Sequence, residues 1–290
     1  MFQGVYVATA TPFKEACGKF DETAYMQHVQ RLVDAGVHGL VPAGTTGESP
    51  NLSDEEKRVM FQICVAAAKG RAKVVAGVGT NSTAGSVKAA HLAADVGVDG
   101  LLVVNPYYNK PTQAGLKAHF QAVANVGPPV MLYNIPSRTG VNAAPDTIAE
   151  AAAHKNIVAV KEASGTIGPT VDIKQLAPRL DVLAGDDALF LANLALGGDG
   201  VVSVAANVAP AEMVALWDAW RAGDPTEART INNRLWPLFR ALFVETNPIP
   251  VKAGLHLMGH CKKDIRLPLT EATDETVARM KNVLTDLKLM

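Results

Sequence analysis

Short apolar runs and longer amphipathic stretches alternate along the chain. Eight runs, at residues 5–10, 39–44, 73–79, 100–106, 129–135, 157–163, 181–187 and 200–207, have the length and composition of strands covered on both faces. Helical spacing fills the gaps at residues 21–35, 53–69, 82–96, 113–123, 145–153, 171–180, 188–196 and 210–220. Start signals support several of these helices. Ser53-Asp-Glu-Glu56 reads as a capping box, and Pro145 and Pro210 stand where a first helical turn tolerates proline. Beyond the last strand, residues 228–243, 250–257 and 273–287 read as further helices with no strand pattern.

Three helix-to-strand junctions repeat one pattern: Ala35-Gly-Val-His-Gly-Leu-Val41, Val96-Gly-Val-Asp-Gly-Leu-Leu102 and Leu196-Gly-Gly-Asp-Gly-Val-Val202. The first glycine suits a left-handed helix cap, and the second lets the chain enter the next strand in close packing. A repeated αβ unit with eight strands predicts the α/β class, as a closed (β/α)8 TIM barrel. The competing open sheet usually carries GxGxxG after its first strand, which this sequence lacks. The expected organisation is one barrel domain over residues 1–223. A C-terminal helical extension over 224–290 packs on it, with no linker or low-complexity stretch between.

Composition narrows the partners. Of the 290 residues 48% are hydrophobic, and 27 Lys and Arg against 28 Asp and Glu leave a net charge of -1. Nothing in that balance favours nucleic acid or an anionic membrane. Cys17, Cys64 and Cys261 share no CxxC spacing, so neither a disulfide framework nor a zinc knuckle is expected. The opening MFQGVYVATATPF lacks a basic region followed by an apolar run, and no stretch of about 18 apolar residues occurs. The expected location is the cytoplasm.

Barrel active sites lie at the C-terminal ends of the strands, so polar residues there are the candidates. They include Gly44-Thr-Thr-Gly-Glu48, Asn105-Pro-Tyr-Tyr-Asn109, Tyr133-Asn-Ile-Pro-Ser-Arg138, Lys161 with Glu162, Gly185-Asp-Asp187, and Ser203 with Asn207. Lys161 interrupts Ile157-Val-Ala-Val160, a strand covered on both faces. Taking an ammonium out of water favours the neutral amine, the form that attacks a carbonyl to make an imine. Such a lysine either serves that chemistry or neutralises a buried acid. Glu162 is not the expected acid, because adjacent strand residues face opposite sides.

Tyr133, at the end of the preceding strand, either fills the barrel mouth or acts as a general acid and base, with Thr45 and Tyr108 supplying further hydroxyls. Gly44-Thr-Thr-Gly offers N–H groups and a hydroxyl suited to a carboxylate, or simply caps the next segment. Arg138 either grips a second carboxylate in two-pronged fashion or forms surface ion pairs. Asp186 and Asp187 have no histidine in a ligand-like spacing. His256 and His260, at helical i, i+4 spacing beside Cys261, read as a helix face rather than a metal site. There is no P-loop.

Taken together, GTTGES at 44–49, NPYYNKP at 105–111, LYNIPSRTG at 132–140, VKEASG at 160–165 and GDDA at 185–188 form a specific set. The chain resembles the 4-hydroxy-tetrahydrodipicolinate synthase family, also called dihydrodipicolinate synthase, over essentially its whole length. The resemblance implies a lyase of lysine and diaminopimelate biosynthesis that joins pyruvate to L-aspartate 4-semialdehyde. In that scheme Lys161 forms the Schiff base, and Tyr133 moves protons through a relay with Thr45 and Tyr108. Thr46 binds the pyruvate carboxylate, Val202 contacts pyruvate through its backbone, Gly185 lines the pocket and Arg138 anchors the semialdehyde carboxylate. Tyr108 reaches into a neighbouring subunit, which makes a homodimer the minimal unit and a homotetramer, as a dimer of dimers, the expected assembly. No metal or organic cofactor is implied.

Related aldolases acting on N-acetylneuraminate or keto-deoxy sugar acids share the lysine and the tyrosine, but generally lack the SRTG arginine and the tyrosine pair. A non-catalytic keto-acid sensor is the other alternative, and it would need no proton relay. Many members of the family are inhibited by L-lysine, and Ser49, Asn81 and Tyr107 match positions lining that effector site. Lysine-sensitive members carry an acidic residue where this chain has Gly85. Two positions that are histidine in one well-known form are Asp54 and Lys57 here. Weak or absent inhibition by lysine is therefore expected.

Overall fold

The computed structural model describes residues 1–14 and 18–290, so Cys17 lies outside the described residues. Eight parallel strands close in sequential order into a barrel. They are β1 (Gly4–Ala8), β2 (Gly39–Val41), β3 (Lys73–Gly77), β4 (Gly100–Val104), β5 (Val130–Asn134), β6 (Ile157–Glu162), β7 (Asp181–Ala184) and β8 (Gly200–Ser203). The helices up to β8 are α1 (Glu22–Asp34), α2 (Asp54–Ala68), α3 (Thr83–Val96), α4 (Gln113–Ala124), α5 (Pro136–Thr139), α6 (Pro145–Ala151), α7 (Gly168–Leu176) and α8 (Phe190–Ala195). After β8 come α9 (Pro210–Arg221), α10 (Pro225–Ala241), α11 (Ile249–Leu257) and α12 (Asp274–Asp286).

Local chemistry places these elements as the sequence suggests. Ser53 and Glu56 exchange side-chain-to-backbone bonds of 3.1 and 3.0 Å in a full capping box, and Pro145 and Pro210 open α6 and α9. At the repeated junctions Gly36, Gly97 and Gly197 take φ of +82, +86 and +89, a region that costs any residue with a Cβ. The second glycine of each junction is fixed by packing, to which Gly200 adds a φ of +156. A Cβ on Gly100 would stand 2.6 Å from the Phe2 ring, and one on Gly39 would stand 2.1 Å from that of Tyr6.

Strands β1, β2, β5, β7 and β8 are buried at every position, as expected of a parallel sheet with both faces covered. The regular ladders stop short of the expected strand ends. Residues 42–44, 185–187 and 204–207 turn away from the ladder, although most of them are buried. Ala43 does so at φ 54, and Ala205–Asn207 form a single 3-10 turn. Asp186, Asp187 and Asn207 sit on these departures, whereas Tyr133 and Lys161 lie in the ladder itself.

The chain divides into two compact units, residues 1–4 with 73–202 and residues 5–72 with 203–290. The second unit contains the C-terminal helices, with α10 packed on α9 and α11 on α12. Among the described residues no helix is long and apolar enough to cross a membrane.

Candidate active site

In the first unit, β5 and β6 present their candidate residues as facing pairs, Tyr133 with Lys161 and Asn134 with Glu162. That register depends on a bulge. Val130 faces Ile157 but Met131 faces Ala159, so β6 holds one extra residue. Without it Tyr133 would face Val160, and the tyrosine and Lys161 would project from opposite sides of the sheet. With it, the Lys161 ammonium nitrogen lies 4.2 Å from the centroid of the Tyr133 ring. Both side chains are buried, at 5% and 4% exposure. Gly185, just past β7, makes the space: a Cβ there would come within 3.0 Å of Lys161 Cε and 2.5 Å of the Ala163 methyl.

Glu162 is engaged on the other face. It accepts from Asn134 Nδ2 at 2.9 Å and from the Ser164 N–H at 2.6 Å, while Asn105 Nδ2 donates to Asn134 Oδ1 at 2.9 Å. Lys161 therefore has no acid to neutralise, and among the described residues it forms no ion pair. Val202 is fully buried in β8.

Arg138 and Tyr108 belong to the same unit but are exposed. Arg138 rides on the one-turn helix α5, which opens with Pro136 and ends at Gly140 with φ 73. Tyr108 is 89% exposed and holds φ at 75, a strained backbone for an aromatic residue. Asp186 is occupied as a cap, accepting from the Ala188 N–H at 2.9 Å.

The second unit holds the threonines. After β2 the chain folds into a tight loop in which the Gly47 N–H donates to the Gly44 carbonyl at 3.1 Å, and the Glu48 N–H to the Thr45 carbonyl at 3.0 Å. Thr45 is half-buried and Thr46 buried. The Thr46 hydroxyl accepts from Asn247 Nδ2 at 3.0 Å. Glu48, left-handed at φ 55, pairs with Lys252 at 2.8 Å and accepts from the Arg266 N–H at 3.0 Å. The charges of Lys252 and Arg266 lie over the Phe13 ring, 4.4 and 4.2 Å from its centroid. Arg266 also forks onto Glu56 with bonds of 2.5 and 2.8 Å, which hold that carboxyl below its usual range. Burial lowers the Lys252 ammonium from its ordinary value, and Glu48 opposes the shift.

Two buried lysines thus stand in contrast. Lys252 has a carboxylate at hydrogen-bond distance and reads as a structural counter-ion. Lys161 has an aromatic ring and a glycine-made space. A buried amine that no carboxylate engages is free to meet a carbonyl, which suits a nucleophile.

The histidine pair near the C-terminus does not form the helical i, i+4 pair that its spacing suggests. His256 lies in the last turn of α11, and His260 follows the helix after a left-handed Gly259. The His256 Nδ1 meets the Cys261 carbonyl at 3.0 Å.

Comparison with known proteins identifies the family. The sequence model of the Dihydrodipicolinate synthetase family matches residues 1–287. The chain belongs to that family.

A 4-hydroxy-tetrahydrodipicolinate synthase of Methanospirillum hungatei is 46% identical over 287 residues, covering 98% of this chain and 99% of the relative. The crystal structure of dihydrodipicolinate synthase from Thermotoga maritima superposes with a TM-score of 0.97 at 42% identity, covering 100% of both chains. The enzyme from Cyanidioschyzon merolae, solved with lysine bound, gives a TM-score of 0.97 at 40% identity over 100% of this chain and 99% of the other. For this member of the dihydrodipicolinate synthetase family, Asn247, Lys252 and Arg266 are the residues that sequence reasoning passed over. One signal was available: Lys252 interrupts the apolar Ile249-Pro-Val251 as Lys161 interrupts its strand.

Proposed function

We propose that the protein is a 4-hydroxy-tetrahydrodipicolinate synthase, a lyase that condenses pyruvate with L-aspartate 4-semialdehyde in lysine biosynthesis. The observation that carries the mechanism is the buried Lys161 amine, free of any acid and set against Tyr133. The amine attacks the keto carbon of pyruvate and water leaves, giving an imine. Loss of a methyl proton converts the imine to an enamine, whose carbon attacks the aldehyde of the second substrate. The amino group of that substrate then adds to the imine carbon, closing the six-membered ring and releasing Lys161. One water leaves per turnover.

Each transfer needs a proton donor or acceptor at the reacting atoms. Tyr133 takes that role, sharing protons with Thr45 and with Tyr108 of a second subunit. Thr46 donates to the pyruvate carboxylate, Val202 contacts pyruvate through its backbone, and Gly185 lines the pocket. Arg138 grips the semialdehyde carboxylate, where a planar fork matches two oxygens. The exposure and strained φ of Tyr108 support a partner subunit covering it, and a homodimer, or a tetramer of two dimers, is the proposed working unit. The cytoplasm is the proposed compartment.

A coupled assay tests the substrate pair. Pyruvate with L-aspartate 4-semialdehyde should turn over, and N-acetylneuraminate should not. Cleavage of N-acetylneuraminate without condensation of the first pair would reassign the protein to the sugar-acid aldolases.

A further inference from the structure

The loop that carries Thr45 and Thr46 is tied at two points to the chain beyond β8. At Glu48 the tie is ionic, through Lys252 and the Arg266 N–H. At Thr46 it is a single hydrogen bond from the side chain of Asn247, in the segment leading into α11. Thr46 is 2% exposed and Asn247 4%. A hydroxyl has one proton to give and two lone pairs that accept. With Asn247 Nδ2 donating at 3.0 Å, one lone pair is taken and the Thr46 O–H is turned away from the amide. Among the described residues no acceptor receives that proton. A buried hydroxyl whose proton is held but unused is prepared for a ligand acceptor, and a carboxylate is the acceptor that gains most from it.

We propose that Asn247 is a positioning residue for keto-acid binding: by donating to Thr46 Oγ1 it fixes the hydroxyl so that its proton is delivered to the substrate carboxylate. The proposal rests on the reading of Thr46 as the ligand of the pyruvate carboxylate. It gives the C-terminal segment a part in substrate binding that is separate from the ionic anchor at Glu48. Asn247 touches no substrate, so its effect must pass through Thr46 and must fall on pyruvate rather than on the semialdehyde.

The test is a double-mutant cycle read as KM for each substrate, with thermal unfolding followed alongside. Thr46→Val alone should raise the pyruvate KM about tenfold or more, the scale of removing a hydrogen bond to a charged group. Asn247→Ala should raise the same KM about fivefold or more and leave the semialdehyde KM within about twofold. In the Thr46→Val background it should add almost nothing, because the hydroxyl it orients is gone. Asn247→Ser, which keeps a shorter donor, carries the same test if the alanine variant does not fold. An Asn247 effect of equal size in both backgrounds, or none on pyruvate, overturns the positioning role while leaving Thr46 as the ligand. An unchanged pyruvate KM in Thr46→Val overturns the Thr46 reading itself and the proposal with it.

Discussion

What separates a nucleophilic lysine from a counter-ion is the set of groups around its nitrogen. Lys161 and Lys252 are both buried inside apolar runs, and only the second has a carboxylate, at 2.8 Å. The substrate-anchoring role proposed for Arg138 makes the complementary prediction. Removing one partner of a charge-assisted, two-pronged pair costs about 2–5 kcal/mol where the bound substrate shields it from water. Arg138→Leu should therefore cut turnover with the semialdehyde by orders of magnitude, while borohydride trapping of pyruvate on the enzyme persists. Near-normal use of the semialdehyde by this variant would leave Arg138 without a part in binding it. At this scale Lys161 was legible because a lysine is unusual inside a covered strand, whereas Tyr133 and Gly185 took their roles from the family resemblance; the structure brings the three together. Asn247 was not legible, since an asparagine before a proline reads as an ordinary turn residue until its partner, 201 positions away, is known.

At the scale of elements the order of strands and helices was legible throughout, and the boundaries less so. Apolar character reports burial rather than ladder pairing, so β2 and β8 end at Val41 and Ser203 instead of running to residues 44 and 207. Helix α7 runs over Gly168–Leu176 rather than 171–180. Pro169 lets it start earlier, and Ala177, standing before Pro178, leaves the helical region at φ -138 and ψ 68. Helix α10 begins at Pro225 because Asp224 accepts from the Glu227 N–H at 2.9 Å, a cap just outside the periodic stretch. The one-turn α5 is too short to show any period, although it carries Arg138. The β6 bulge that aligns Lys161 with Tyr133 leaves no mark in the pattern of apolar residues, because Val158 is as apolar as its neighbours.

For the whole molecule, the prediction concerns regulation by an effector. The effector reading rests on positions equivalent to those lining the lysine site of sensitive family members, and one relative has been solved with lysine bound. In this chain Gly85 stands in the first turn of α3, where no carboxylate is offered to the α-ammonium of lysine. Lys57 adds a like charge, and Asp54 beside it offsets that charge in part. A missing carboxylate and a neighbouring cation both weaken binding of a cationic ligand. Initial rates at subsaturating pyruvate should be little changed by roughly millimolar lysine, the weak end of small-molecule affinities. Strong inhibition at micromolar lysine would contradict this reading of Gly85 and Lys57.

Lys161 is proposed as the amine on which the reaction runs, and borohydride reduction in the presence of pyruvate puts that assignment to the test. Reduction fixes an imine as a stable secondary amine, so peptide mass mapping shows which lysine formed it. One reduced pyruvyl group per chain is expected, on the peptide that holds Lys161, with loss of activity in proportion to labelling. Lys161→Arg should remain unlabelled and inactive. A label on Lys252 or any other lysine, or active protein that takes up no label, would contradict it.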